Sequence, residues 1–418
     1  MRYPARVLDL QSHPQVQHGH TFYHPELDIL RFFAFFAVFL HHALPRQASL
    51  YIDAGLSPVA TQWLLAAKEA GAFGVDLFFV LSAFLITELL RREYVNRGKF
   101  GLKAFYVRRA LRIWPLYFTF LAATTFVIPM ILPADQFGPI YVISFALFFG
   151  NWVCATSGLP FSVASPLWSI SVEEQFYLGW PLLLRFFGMN RIKQLAIGLL
   201  GLALLTRVLL AFYDVKHPGV WCNTIARLDP IALGALLAFF LGGRAPQLRS
   251  VPRLALCVFA LAGWWLVARY LRHDGPTSVV TYLVSALASV ALLVAVLQTN
   301  TRLLMFPPFT WLVYLGRISY GLYVFHLFAL ALVTKQLVIP VIGIPHNFES
   351  RLLFSFVLTV LLAAASYCWL EQPFLKLKKR FSYTPTGPDG PSGHRTSQEE
   401  GLVPAAEGVL RAGASPSS

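Results

Sequence analysis

Apolar residues along this chain gather into long blocks separated by short polar or basic connections. The blocks run at about Leu27–Leu44, Phe73–Leu90, Ile113–Leu132, Val172–Phe187, Gln194–Phe212, Ile225–Leu241, Leu254–Leu271, Ser278–Leu297, Trp311–Lys335 and Leu352–Leu370. Each approaches the roughly 20 residues that a helix needs to cross a ~30 Å hydrocarbon layer. The pattern predicts an all-α polytopic membrane protein with about ten transmembrane helices. A further apolar stretch, Phe137–Trp152, is read as a re-entrant or surface-lying segment, because counting it as a span scrambles the loop charges that follow.

With that stretch excluded, the basic residues from Arg91 to Arg112, Arg185 to Lys193, Arg244 to Arg253, Arg302, and Lys376 to Arg380 share one side with both termini. The opposite loops hold only Arg46, Lys68, Lys216, Arg272, Lys335 and Arg351. Positive residues stay inside, so both termini are expected in the cytoplasm. Composition supports the membrane class: of 418 residues 56% are hydrophobic and only 13% charged, about half the ~25% of soluble domains. That excludes a soluble enzyme, a disulfide-stapled secreted scaffold and a disordered regulator. The net charge of +14 is mainly topology, with a cytoplasmic anionic ligand as its second use; no nucleic-acid partner is expected.

Residues 1–26 form a polar cytoplasmic segment without the apolar core and cleavage site of a signal peptide, so the first block is expected to be retained. Residues 27–381 are the transmembrane domain. Residues 382–418 are rich in Pro, Gly, Ser and Ala and are expected to be a disordered cytoplasmic tail. Cys257 and Cys368 read as packers inside spans, whereas Cys154 and Cys222 share the outward side, which leaves a bridge between them open.

Ionisable side chains inside spans are costly and mark functional candidates. The first block carries Asp28, Arg31, His41 and His42. Arg31 and His42 are eleven residues apart, about 1100° of helix, within ~20° of full turns, so they share a face some ~16 Å apart. His42 suits a general base, because its ordinary pKa lies near operating pH; His41 points about 100° away. Arg109 and Arg112, three apart at the cytoplasmic mouth of the third span, are candidates for binding an anionic donor; the plain alternative is a positive-inside anchor. At the outward entry of the fourth span, Ser171 and Glu174 have capping-box spacing, while Glu173 is placed to orient an acceptor hydroxyl or a protonated His. Arg227 and Asp229 read as a structural pair; Asp76 and His326 stay undecided between packing and function. No metal-ligand spacing, phosphate-cradling Gly loop or Gly-x-Ser-x-Gly elbow occurs.

Together, the Arg31-x10-His42 spacing, Gly74–Ser82, the Arg109-x2-Arg112 segment, Trp168–Tyr177, Leu315–Tyr323 and Glu371–Phe374 resemble the acyltransferase 3 family of integral-membrane O-acyltransferases. The resemblance runs from about Leu27 to Phe381. It implies transfer of an acyl group, commonly acetyl, from cytoplasmic acyl-coenzyme A to a hydroxyl of a cell-envelope or exported glycan. It also implies a multi-pass protein of the bacterial inner membrane, with acyl-coenzyme A as co-substrate and no permanently bound cofactor. On this resemblance Arg31 and His42 are the essential pair of the first span, and Arg109 and Arg112 engage the donor. The chain departs from the pattern at Ala83, where a Gly commonly stands, and at Phe328, where a Pro often follows the span-nine His. The esterase-like domain fused to longer members is expected to be absent.

On this reading the donor's phosphates sit at Arg109 and Arg112, its arm threads past Arg31, and His42 takes the proton of the acceptor hydroxyl; an acyl-His intermediate is the variant. The rival reading is a transporter or flippase for a lipid-linked glycan, with Arg31 and His42 on its pathway.

Overall fold

The structure, a computed structural model, describes residues 24–381 apart from 245, 299–305, 307–308 and 335–347. The expected N-terminal segment up to Tyr23, the tail at 382–418, and the loop cations Arg302 and Lys335 lie outside the described residues.

Among the described residues the chain is all helical. With no water in a bilayer to satisfy the backbone, helices are the solution for an open chain, and each apolar block contains one. They run α1 (Pro25–Ala43), α2 (Ala48–Asp53), α3 (Pro58–Ala70), α4 (Gly74–Arg97), α5 (Leu102–Phe126), α6 (Ile128–Ile131), α7 (Pro139–Ala146), α8 (Gly150–Ser157) and α9 (Leu167–Phe187). The series continues with α10 (Ile192–Phe212), α11 (Leu228–Leu241), α12 (Ser250–Tyr270), α13 (Thr277–Val296), α14 (Phe309–Arg317), α15 (Ser319–Thr334), α16 (Phe348–Ser366) and α17 (Gln372–Lys378). Proline at the first turn starts α1, α3 and α7, where its missing N–H costs nothing.

Not every block meets the test of a membrane span. Five helices are long and apolar enough, and a sixth counts if α14 and α15, bent by 79° at their junction, are taken together. The other blocks fall short for visible reasons. Helices α1, α5 and α9 carry their charges inside the helix, and α11 has only 14 residues. The Phe137–Trp152 stretch belongs to α7 and α8, eight residues each, so each is about 12 Å long and too short to cross.

Helix α4 is the hub, packed against α1, α9, α11 and α13. The most apolar stretch of the α3–α4 run is 78% buried, against 17% for those of α10, α12 and α16. Those outer helices expose Leu205, Val208 and Phe212, or Val258 and Phe259, to their surroundings. Apolar faces of that extent require lipid, and the chain is a membrane protein. Helix α1 is clamped between neighbours by backbone approach. A Cβ on Gly74 would stand 2.3 Å from the Ala34 carbonyl oxygen, and one on Gly316 1.9 Å from that of Asp28. Small residues of this kind let membrane helices touch backbone to backbone.

Charge in the middle of the bundle is cross-paired. Arg227 does not pair with Asp229 as the sequence reading has it; its guanidinium binds Asp76 on α4, while Asp229 pairs with Arg207 on α10 at 2.8 Å. All four side chains have zero exposure. Asp76 also accepts from Ser285 Oγ at 3.0 Å, and the Arg227 guanidinium lies against the rings of Trp221 and Tyr282, 4.4 Å from each. The undecided Asp76 is thus the partner that joins α4 to α11 and α13. Cys154 and Cys222 are both buried and free, so the bridge left open is not formed.

Removing one partner of a buried pair strands the other charge, at a cost of about 3–5 kcal/mol. Asp76→Ala is expected to lose that much in denaturant unfolding in detergent micelles, and Asp76→Ala with Arg227→Met is expected to regain part of it. A single variant as stable as the parent removes the pair from its structural role.

Candidate functional site

Helices α1, α5, α9 and α15 bring most of the sequence candidates into one polar column running along the bundle. Arg31 and His42 both lie on α1, so their spacing holds and keeps them about 16 Å apart. They define the two ends of the column and do not touch.

At the first end, Arg31 Nη1 donates to Asp28 Oδ1 at 3.1 Å. Because α5 begins at Leu102, eleven residues before the apolar block, Arg109 and Arg112 lie within a helix that packs into the bundle. The Arg109 guanidinium rests on the rings of Phe105 and Tyr177, at 5.6 and 5.5 Å. Arg112 lies in the field of Arg31, Asp28 and Glu371, and Lys378 of α17 joins the same cationic group. Arg108 is committed to protein, donating to the Phe381 carbonyl at 2.8 Å and to Glu93 Oε2 at 3.4 Å. Among the described residues neither Arg109 nor Arg112 makes a hydrogen bond or an ion pair. Half-buried guanidinium groups in that condition hold donors ready for an anion.

The middle of the column is built by α9. The helix begins at Leu167 rather than at Val172. Ser171 and Glu174 therefore do not form a capping box; Glu174 lies inside the helix and accepts from Trp114 Nε1 at 3.2 Å. Glu173 accepts from the Tyr177 hydroxyl at 3.0 Å, and Tyr177 is bound in turn to Ser82 of α4. Arg109 and Arg31 are the cations bearing on the Glu173 carboxylate. The structure thus brings Glu173 together with the arginines. About one turn earlier on α9, Ser169 hydrogen-bonds the Tyr323 hydroxyl of α15 at 2.7 Å.

At the far end His42 meets His326. His42 Nδ1 lies 3.0 Å from the Val38 carbonyl oxygen and 3.3 Å from His326 Nε2. His326 Nδ1 lies 2.6 Å from the Tyr323 carbonyl oxygen. A carbonyl can only accept, so both Nδ1 atoms carry the proton, and these partners assign the tautomers. His42 donates to Val38 and toward His326 Nε2, which leaves its own Nε2 with a free lone pair. His326 is fully buried, whereas His42 is exposed. An exposed imidazole whose other nitrogen is fixed from behind is what a general base requires. His41 turns away and lies against the Lys68 carbonyl oxygen at 3.1 Å.

Sequence reasoning missed the partners more than the principals. Tyr177, four residues after Glu173, was legible from helical spacing. Lys378 was read only as part of a topogenic basic run. His326 carried no local signal that it would reach α1. Among the described residues, no group of His, Cys, Asp and Glu is arranged to hold a metal ion.

Residues 24–369 match the family model described as "Acyltransferase domain". Among curated relatives, the Staphylococcus aureus (strain MRSA252) protein named "Putative O-acetyltransferase SAR0937" is 28% identical over 398 residues, covering 87% of this chain and 60% of that protein. The protein named "O-acetyltransferase OatA" from strain NCTC 8325 is 27% identical, covering 87% of this chain and 59% of its own length. The chain therefore spans about three-fifths of the length of the curated relatives it matches. No solved structure matches the chain.

Exposure separates the two histidines chemically. Diethyl pyrocarbonate is expected to modify His42 at least about tenfold faster than His326, since reaching the latter requires packed helices to open. Peptide mass spectrometry of briefly treated protein measures both rates, and equal rates would mean that the pair is not packed as described.

Proposed function

The chain belongs to the acyltransferase domain family, and from that premise we propose that it is a membrane-bound O-acyltransferase. It moves an acyl group, acetyl in the first instance, from cytoplasmic acyl-coenzyme A to a hydroxyl of a cell-envelope or exported glycan. One observation carries the reading: the same helices carry two arginines that make no hydrogen bond or ion pair among the described residues and an exposed imidazole with a free ring nitrogen, with the Tyr177–Glu173 pair among them. The names of the relatives, O-acetyltransferases, agree with it.

In this proposal the family domain crosses a bacterial inner membrane about ten times, with α7 and α8 not crossing and both ends of the domain cytoplasmic. The loop charges support that sidedness. Arg109 and Arg112 hold the donor's phosphates at the cytoplasmic end, and Lys378 adds a further cation. The pantetheine arm runs past Arg31 and the Tyr177–Glu173 pair toward His42. His42 Nε2 removes the proton of the acceptor hydroxyl while its oxygen attacks the thioester carbonyl. The tetrahedral adduct expels the coenzyme A thiolate, which takes the proton back from His42. The products are the ester and coenzyme A. His326 acts through His42 as a positioning residue, holding the tautomer that presents Nε2.

The test is incorporation of label from radiolabelled acetyl-coenzyme A into envelope glycans by membranes containing the chain. His42→Ala is expected to reduce kcat by about 10²–10⁴-fold, the usual contribution of a general base. Arg109→Ala and Arg112→Ala are each expected to raise the donor KM about tenfold or more, the loss of a charge-assisted hydrogen bond. Undiminished labelling by normally inserted His42→Ala removes His42 from the chemistry. Movement of a lipid-linked glycan without donor consumption would establish the transporter instead.

A further inference from the structure

Beside His42 stands a second group of side chains that the proposed chemistry does not use. The His41 ring lies edge-on to the His42 ring at 5.0 Å. His41 Nδ1 is 3.6 Å from Glu69 Oε2, and Lys68 Nζ donates to Glu69 Oε1 at 2.8 Å. The Lys68 side chain is 1% exposed, whereas that of Glu69 is 40% exposed. A buried ammonium thus anchors a carboxylate whose other face is open. Burying a lysine in an apolar bundle is costly, and what it secures here is the orientation of Glu69 against His41.

His217 and His273 stand on two other loops. The rings of His217 and His273 are 6.3 Å apart, and the Trp221 ring lies edge-on to His273 at 5.5 Å. Glu69 acts electrostatically on both histidines. His273 Nδ1 is buried and has no hydrogen-bond partner. A buried polar nitrogen left without a partner is costly and calls for a ligand or water.

Resting on the acyltransferase reading, we propose that His41, Glu69, His217 and His273 form the acceptor subsite, and that it receives a neutral, polyhydroxylated sugar ring rather than an anionic one. Sugar hydroxyls both donate and accept, and these groups alternate likewise: the carboxylate accepts while each imidazole donates at one nitrogen and accepts at the other. The local charges are already matched. Lys68 is paired with Glu69, Lys216 with Asp214 and Arg272 with Asp274. A carboxylated sugar would set a second negative charge beside Glu69, whose nearest cation, Lys68, is already engaged. A neutral ring placed there sets one hydroxyl against His42 Nε2 and another against Glu69.

The test uses the full-length protein in detergent micelles, with radiolabelled acetyl-coenzyme A and isolated envelope glycan as acceptor. Neutral methyl hexosides and the matching methyl hexuronides serve as competitors. Neutral glycosides are expected to compete with the acceptor and the uronides to compete poorly. Glu69→Gln and, independently of the buried lysine, His273→Asn are expected to raise the acceptor KM and the Ki of the neutral glycosides about tenfold. The donor KM is expected to move little. Stronger competition by uronides overturns the neutral-sugar specificity, and variants that lower kcat without moving acceptor KM or Ki overturn the subsite; both leave acyl transfer standing. Failure of the parent to transfer label to any acceptor overturns the function itself, and the subsite with it.

Discussion

A charge inside an apolar bundle must find a partner, and that requirement sorts the ionisable residues of this chain. Asp76 with Arg227 and Arg207 with Asp229 satisfy it with each other, each pair linking two different elements of the bundle. Asp28 with Arg31 and Arg108 with Glu93 satisfy it locally or nearly so. Arg109 and Arg112 do not satisfy it with protein among the described residues. Structural charges and site charges are thus separated by pairing: Asp76, Arg227 and Asp229 stand paired at helix starts, whereas Arg109 and Arg112 lie unpaired along α5.

The same rule explains what could be read in the sequence. Helical periodicity puts Arg31 and His42 on one face from their spacing alone, and the helix containing both preserves it. The ion pairs could not be assigned that way. Arg227 and Asp229 are two residues apart and point in different directions on a helix, so each finds its partner on another element, and Arg207 drew no attention at all. Boundaries misled where apolarity was used to find helix starts. Helix α9 begins five residues before its apolar block, which turns an apparent capping box into interior positions. The meeting of His42 with His326 depends on how α15 is set against α1, and no local pattern encodes that. Equally, sequence alone places Lys68 among the loop cations of the outward side, and only the fold buries it against Glu69.

The two ends of α1 divide the proposed work. Residues at the Arg31 end can hold a charged, bulky headgroup without coming near the acceptor. Residues at the His42 end can meet a hydroxyl without coming near the phosphates. Only a thin, flexible part of the donor has to cover the ~16 Å between them, past Tyr177, Glu173 and Tyr323. A rigid helix carrying both ends sets that distance once, and His326 behind His42 sets the direction in which the free nitrogen points.

Rigidity also bears on the choice between transfer and transport. A transporter that exposes its site alternately to two sides needs one bundle to rock against another. Helix α1 has little freedom to do so. Its backbone touches the Gly71–Gly74 turn on one side and Gly316 on the other, with no room for even a methyl group at either contact. The crossed ion pairs hold α4, α10, α11 and α13 together beside it. Rocking α1 would break backbone-to-backbone packing along its length, whereas threading a substrate arm past side chains leaves every one of those contacts in place. A fixed column with a cationic entrance at one end and a base at the other therefore favours group transfer over carriage of a whole glycan.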